Sequence, residues 1–150
     1  MSFTAAQGTY GARQPGALVR WANRFVMRRA RKGGEAMGMH LLVLTAPGRS
    51  SGEPRSAPVA WFPGEDGSWV VVASANGAAR HPAWYRNVAA HPDAVTVQLE
   101  GRTVPVSARE LHGEEREREW ARVVAAAPRF GGYATKTDRE IPVVRLTPRT

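Results

Sequence analysis

Residues 40–62 hold the arrangement that most limits what this chain can fold into. An apolar run, His40-Leu41-Leu42-Val43-Leu44, enters the stretch Thr45-Ala46-Pro47-Gly48-Arg49-Ser50-Ser51-Gly52-Glu53-Pro54-Arg55, and a second extended run, Ser56 to Phe62, leaves it. Glycine, proline and serine gathered between two apolar runs read as a tight strand-to-strand connection. Such a turn can offer backbone N–H groups and hydroxyls to an anion, because glycine lets the chain approach closely. Arg49 and Arg55 flank these donors, and a guanidinium fork matches a phosphate or carboxylate in shape. On these residues alone, an anion-holding turn and a solvated hairpin with incidental arginines are equal readings.

The same turn fits two catalytic patterns badly. Gly48-Arg49-Ser50-Ser51-Gly52 matches G-x-S-x-G, but that nucleophile elbow needs a helix after the serine. Here Pro54 and Pro58 follow within a few positions and oppose one. No acid and histidine in workable context come later. A Walker loop is excluded as well, since no Gly-Lys-Ser/Thr follows.

Further along, Ala57 to Phe62 and Ser68 to Ser74 pair through the turn Pro63-Gly64-Glu65-Asp66-Gly67. Ser74 to Ala78 leave that strand through small residues. Pro82 then opens a helix through Val88, where its missing N–H costs nothing. A small-residue loop feeding a helix N-terminus is a second natural anion platform. His91-Pro92-Asp93 ends the helix. Val95 to Leu99 and Arg102 to Arg109 form another hairpin, turning at Glu100-Gly101. Glu114 to Ala126 reads as a surface helix burying Trp120, Val123, Val124 and Ala127, with Glu114 pairing to Arg118 and the acid run solvated. Pro128 to Tyr133 reads as a loop with two aromatics, and Ile141 to Leu146 as a final strand. The sum is an α+β, mainly β chain: a six-stranded antiparallel barrel with about three helices.

The third helix comes from residues 17–32. Leu18, Trp21, Ala22, Phe25 and Val26 repeat at helical spacing, with Arg20, Arg24, Arg28 and Arg31 opposite. It reads either as a membrane-surface or lid element or as a helix packed on the barrel with a wet arginine face. Residues 1–16 are small, polar and glycine-rich and read as disordered or loosely held. The expectation is one domain over 1–150, with the barrel body at 40–147.

Composition removes whole classes. There is no cysteine, so disulfides and thiolate chemistry are out. His40, His81, His91 and His112 lack metal-ligand spacing and read as ordinary, His81 being the most interesting by position. No apolar run nears membrane-spanning length, and the N-terminus lacks a signal-peptide core, so a cytoplasmic location is the default, with membrane association through 17–32 as its variant. The net charge of +8 divides unevenly: residues 1–32 hold six arginines and one lysine with no acid (+7), leaving +1 for the remainder. A nearly neutral body argues against nucleic-acid binding.

Several blocks together resemble the deazaflavin-dependent nitroreductase family, which uses the 8-hydroxy-5-deazaflavin coenzyme F420. They are Gly48 to Arg55, Val72-Ala73-Ser74, His81-Pro82-Ala83-Trp84-Tyr85-Arg86-Asn87, and Thr137-Asp138-Arg139-Glu140-Ile141-Pro142-Val143-Val144. The resemblance implies a split β-barrel akin to flavin-oxidase folds and hydride transfer from the reduced deazaflavin. By position, Arg49, Ser50, Ser51 and Arg55 would hold the coenzyme's phosphate and acidic tail. Val72, Ala73, Ser74 and Ala75 would line the deazaflavin, largely through backbone groups. Ala83, Trp84, Tyr85, Arg86 and Asn87 would close the other side, Trp84 mainly by packing. The bias of 19 arginines to two lysines suits a polyanionic ligand. Ser50 and Ala75 stand where members often carry lysine, which removes two charges from the tail site. Ala127, Phe130 and Tyr133 stand where members often have a tyrosine-rich stretch, and only Tyr133 keeps a hydroxyl.

In such an enzyme the coenzyme does the hard chemistry, which agrees with the lack of an acid–base constellation. Tyr133 is the candidate to donate a hydrogen bond or proton to the acceptor, against an equal reading as an aromatic filler. Quinones and nitro compounds fit as small-molecule acceptors. A non-catalytic deazaflavin carrier or sensor, and a flavin mononucleotide-binding barrel, are the competing functions.

Overall fold

The computed structural model describes residues 39–74, 81–135, 137 and 139–149, together with Phe3, Gly8, Glu35 and Ala36. The basic 17–32 segment and Ala75 lie outside the described residues. The strands are β1 (Glu35–Ala36), β2 (Met39–Pro47), β3 (Pro54–Pro63), β4 (Trp69–Val72), β5 (Val95–Leu99), β6 (Arg102–Glu110) and β7 (Val143–Pro148). The helices are α1 (Ala83–Ala90), α2 (Gly113–Ala126) and α3 (Arg129–Thr135).

All pairings are antiparallel, and β2-β3-β4-β7-β6-β5 close on themselves through a β2–β5 ladder from Val43↔Gln98 to Thr45↔Thr96. This is the expected six-stranded barrel, with β1 added as a two-residue ribbon on β2. The β5–β6 turn falls at Glu100 and Gly101, whose φ values of 50° and 76° give the mirror-image turn that matches strand twist.

Alternation along the strands sends one set of side chains inward. Leu42, Leu44, Val59, Val71, Val97, Val106, Val144 and Leu146 fill the barrel, and Tyr85 and Val88 of α1 pack into the same core. A second core lies on the outside of β4 and β7. There Val70, Val72 and Val143 are covered by Val123 and Ala127 of the α2 end and by Phe130 of α3.

Two local readings change. Residues 129–135 are a helix and not a loop. Gly131 and Gly132 weaken the local signal, but Phe130 packs edge-on to both Phe62 (5.7 Å) and Tyr133 (5.5 Å) and wins by burial. The acid run of α2 is only partly a solvated face, because Glu119 is 1% exposed and Glu115 binds two arginines. Arg118 lies 3.8 Å from Glu65. No described helix is long and apolar enough to cross a membrane.

Candidate active site

The β2–β3 connection closes between Pro47 and Pro54, which face each other in register. Within it, Gly48 N–H donates to the Glu53 carbonyl (2.7 Å) and Gly52 N–H to the Gly48 carbonyl (2.8 Å). Glu53 N–H donates to Ser51 Oγ at 3.2 Å. Gly52 has φ +74°, and a Cβ on Gly48 would sit 2.8 Å from Ser51 Oγ. Gly52 is therefore required by the turn's backbone, whereas a Cβ on Gly48 would displace the Ser51 hydroxyl.

Arg49 N–H donates to Asn87 Oδ1 of α1 at 3.1 Å, which ties the turn to the helix. The backbone donors of Gly48, Arg49, Gly52 and Glu53 are thus spent inside the protein. The arginine forks of Arg49 and Arg55 and the hydroxyls of Ser50 and Ser51 belong to residues that line the pocket. Ser51 Oγ accepts one bond, so its O–H remains available to donate. Arg55 approaches Glu53 only to 3.9 Å with both side chains well exposed, an interaction of little strength in water.

A pocket of about 470 Å³ opens between this turn and α1. Its rim carries Arg49, Ser50, Ser51, Arg55 and Asn87, and its apolar walls include Leu44, Ala46, Ala57 and Trp84. Ala83 lines it too, so the positive end of the α1 dipole faces the same space. A cationic, hydroxyl-bearing rim above an apolar wall matches a ligand with an anionic tail and a flat ring. That donor set fits a deazaflavin nucleotide-like coenzyme.

The structure thus brings Arg49, Ser50, Ser51, Arg55, Ala83, Trp84 and Asn87 to one pocket. Tyr85 and Arg86 do not line it. Tyr85 is 1% exposed and points into the barrel core, where its hydroxyl donates to the buried Glu110 carboxylate. His112 stands 3.3 Å from the other oxygen of Glu110. Tyr85 and Val88, three apart on α1, form a buried stripe that the sequence could have disclosed. Val72 and Ala73 are buried at the β4 exit and Ser74 is half-buried, and none of the three lines the pocket. Tyr133 stands half-buried on α3 beside Phe130, in the second core and outside the pocket lining. The apolar wall residues Leu44, Ala46 and Ala57 went unread, because strand alternation marks them only as core.

Arg139 is the main residue whose role sequence reasoning missed. It is buried, and its guanidinium bonds the Ala73 and Ser74 carbonyls and His81. Burial pulls its pKa below the usual arginine value, with the neighbouring Tyr85 acting in the opposite direction.

A closed antiparallel barrel with a cationic pocket beside a short helix defines a protein of the split-barrel class. The sequence pattern of the F420H(2)-dependent quinone reductases matches residues 18–148, and the chain belongs to that family. The protein Rv3178 of Mycobacterium tuberculosis, provisionally named for the same activity, is 38% identical over 108 residues, 72% of this chain and 89% of that protein. A solved F420-H2 dependent reductase, FDR-A, is 43% identical with a TM-score of 0.63, covering 71% of this chain and 92% of that one. A second solved chain, a domain-swapped dimer, is 37% identical with a TM-score of 0.65, covering 86% and 96%. Membership makes the chain an oxidoreductase with F420 as its coenzyme. "Quinone reductase" is the closer family name, and "nitroreductase" the looser one.

Proposed function

We propose that this chain passes a hydride from reduced F420 to a quinone-type acceptor, with nitro compounds as a second acceptor class. When bound, the reduced deazaflavin supplies two electrons and a proton as hydride, and the quinone takes one further proton to become the hydroquinone. The observation that carries the reading is the meeting of the 48–55 turn with the first turn of α1 in one pocket.

Arg49 and Arg55 would neutralise the coenzyme's acidic tail, with Ser50 and Ser51 as hydroxyl donors. Ala83 and Trp84 offer the helix N-terminus, and Asn87 holds the turn against it. Tyr85 and Arg86 would serve by seating α1. The backbone of Val72, Ala73, Ser74 and Ala75 would lie against the ring. Tyr133 is the hydroxyl assigned to the acceptor side, and Tyr133→Phe would lower kcat about tenfold with KM for the coenzyme unchanged. We read 1–150 as one domain, in which the basic 17–32 segment would bring the 40–147 body to an anionic lipid surface where quinones dissolve.

The test is a fluorescence titration of F420 into the wild type and Arg55→Ala, paired with oxidation of reduced F420 by menadione. Loss of one charge-assisted bond raises Kd about tenfold. Turnover absent with every quinone and nitro compound would convert the reading to a carrier. Preferential uptake of flavin mononucleotide would replace the coenzyme.

A further inference from the structure

Arg139 lies just before β7, whose first residue Val143 pairs with Val72 at the end of β4, and it acts at that shared end. Its Nη1 donates to the Ala73 carbonyl at 2.9 Å and meets His81 Nδ1 at 2.9 Å, while Nη2 donates to the Ser74 carbonyl at 2.7 Å. β4 ends at Val72 and α1 begins at Ala83. One guanidinium group therefore fastens the exit of β4 to the entry of α1. The grip is reinforced from the same segment, because Ala73 N–H donates to the Pro142 carbonyl at 3.0 Å. Arg139 N–H in turn donates to Thr137 Oγ1 at 3.2 Å.

The chemistry of the contact is directional. A guanidinium only donates, so His81 Nδ1 accepts, and the ring is neutral with its proton on Nε2. His81 is 1% exposed and its ring sits 4.8 Å from that of Tyr85. The planar fork also explains the residue type. Three acceptors in fixed directions suit arginine, whereas a lysine ammonium is a point donor on a flexible stem. Core stability alone does not ask for this group, since a buried cation is costly to desolvate and an apolar side chain of similar volume often serves as well.

We propose that Arg139 is the positioning residue of the reductase: it holds the Ala73–Ser74 backbone and His81 together as the wall against which the deazaflavin ring lies. It thereby sets the hydride-transfer distance without gripping the acidic tail. This rests on the reading that residues 72–75 face the ring and that Arg49 and Arg55 hold the tail.

Arg139→Lys and Arg139→Gln in the full chain test it by four readouts: F420 Kd from fluorescence, the single-turnover oxidation of reduced F420 by menadione, thermal midpoint, and the 15N resonance of His81 Nδ1. Misplacement of the ring wall slows hydride transfer about 10- to 100-fold while Kd stays within about threefold. Lysine keeps one of the three bonds and so recovers part of the rate, and the His81 nitrogen signal moves in both variants. Should glutamine prevent folding, the lysine variant decides. A wild-type single-turnover rate despite a moved His81 signal overturns the proposal, as does a rate that falls only in step with affinity and thermal midpoint. Arg55→Ala run alongside separates the two readings. If its Kd is unchanged the tail assignment has failed, whereas a weakened Arg55→Ala beside an unimpaired Arg139→Lys sinks the positioning role alone.

Discussion

At the residue scale the pocket depends on a missing Cβ. Gly48 packs so closely on Ser51 Oγ, at 2.8 Å from where a methyl would stand, that alanine must displace the hydroxyl. Ser51 would then lose the bond it accepts from Glu53 N–H. Gly48→Ala should cost about 1 kcal/mol of stability. It should also weaken F420 by about 3- to 10-fold, since one hydroxyl donor leaves the rim. Urea unfolding and fluorescence titration check both parts, and an unchanged Kd would remove Ser51 from the site. The density of glycine and serine around Arg49 was visible in the chain. The internal use of the backbone N–H groups was not, because Asn87 lies 38 residues away and no local spacing announces it.

Between elements, that one amide joins α1 to the β2–β3 turn. Asn87→Ala breaks the bond while leaving the buried Tyr85 and Val88 face of α1 in place. A solvent-accessible turn freed from its helix should bind F420 about fivefold more weakly with a loss below about 1.5 kcal/mol in stability. An unchanged affinity would mean that the two walls act independently. Helix α2 shows where reading by period stops. Its repeating Glu and Arg predict neighbours one turn apart, but Glu115 takes Arg109 from β6 at 2.9 Å and Arg145 from β7 at 2.8 Å. Helix α3 was hidden for the opposite reason, its two glycines suppressing a helix that Phe130 secures by tertiary burial.

For the whole molecule, the β2–β3, β3–β4 and β5–β6 hairpins were legible because turns and alternation are local, whereas the distant β4–β7 and β2–β5 pairings and the charge network that clasps α2 to the barrel were not. Glu115 is held below the usual carboxylate range, first by its hydrogen bond from Arg109 and then by Arg145, against burial. A depressed carboxyl stabilises the fold above its unfolded value, and that contribution fades as pH falls through the folded one. Arg109 is raised by the same pair, so its share is present below its ordinary value and disappears only in strong alkali. Thermal midpoints should therefore be flat near neutrality and drop in acid. Glu115→Gln should lose about 1 kcal/mol at neutral pH, because solvent screens the partly exposed pair with Arg109, with the gap to wild type narrowing on acidification. A constant gap would assign the loss to packing.

The place of β7 between β4 and β6 has a consequence for biosynthesis. Residues 143–148 are made after the other described strands, so on the ribosome the sheet stays open between β4 and β6 until they emerge. Such distant pairings are slow to form, so closure of the barrel waits on its most distant partner.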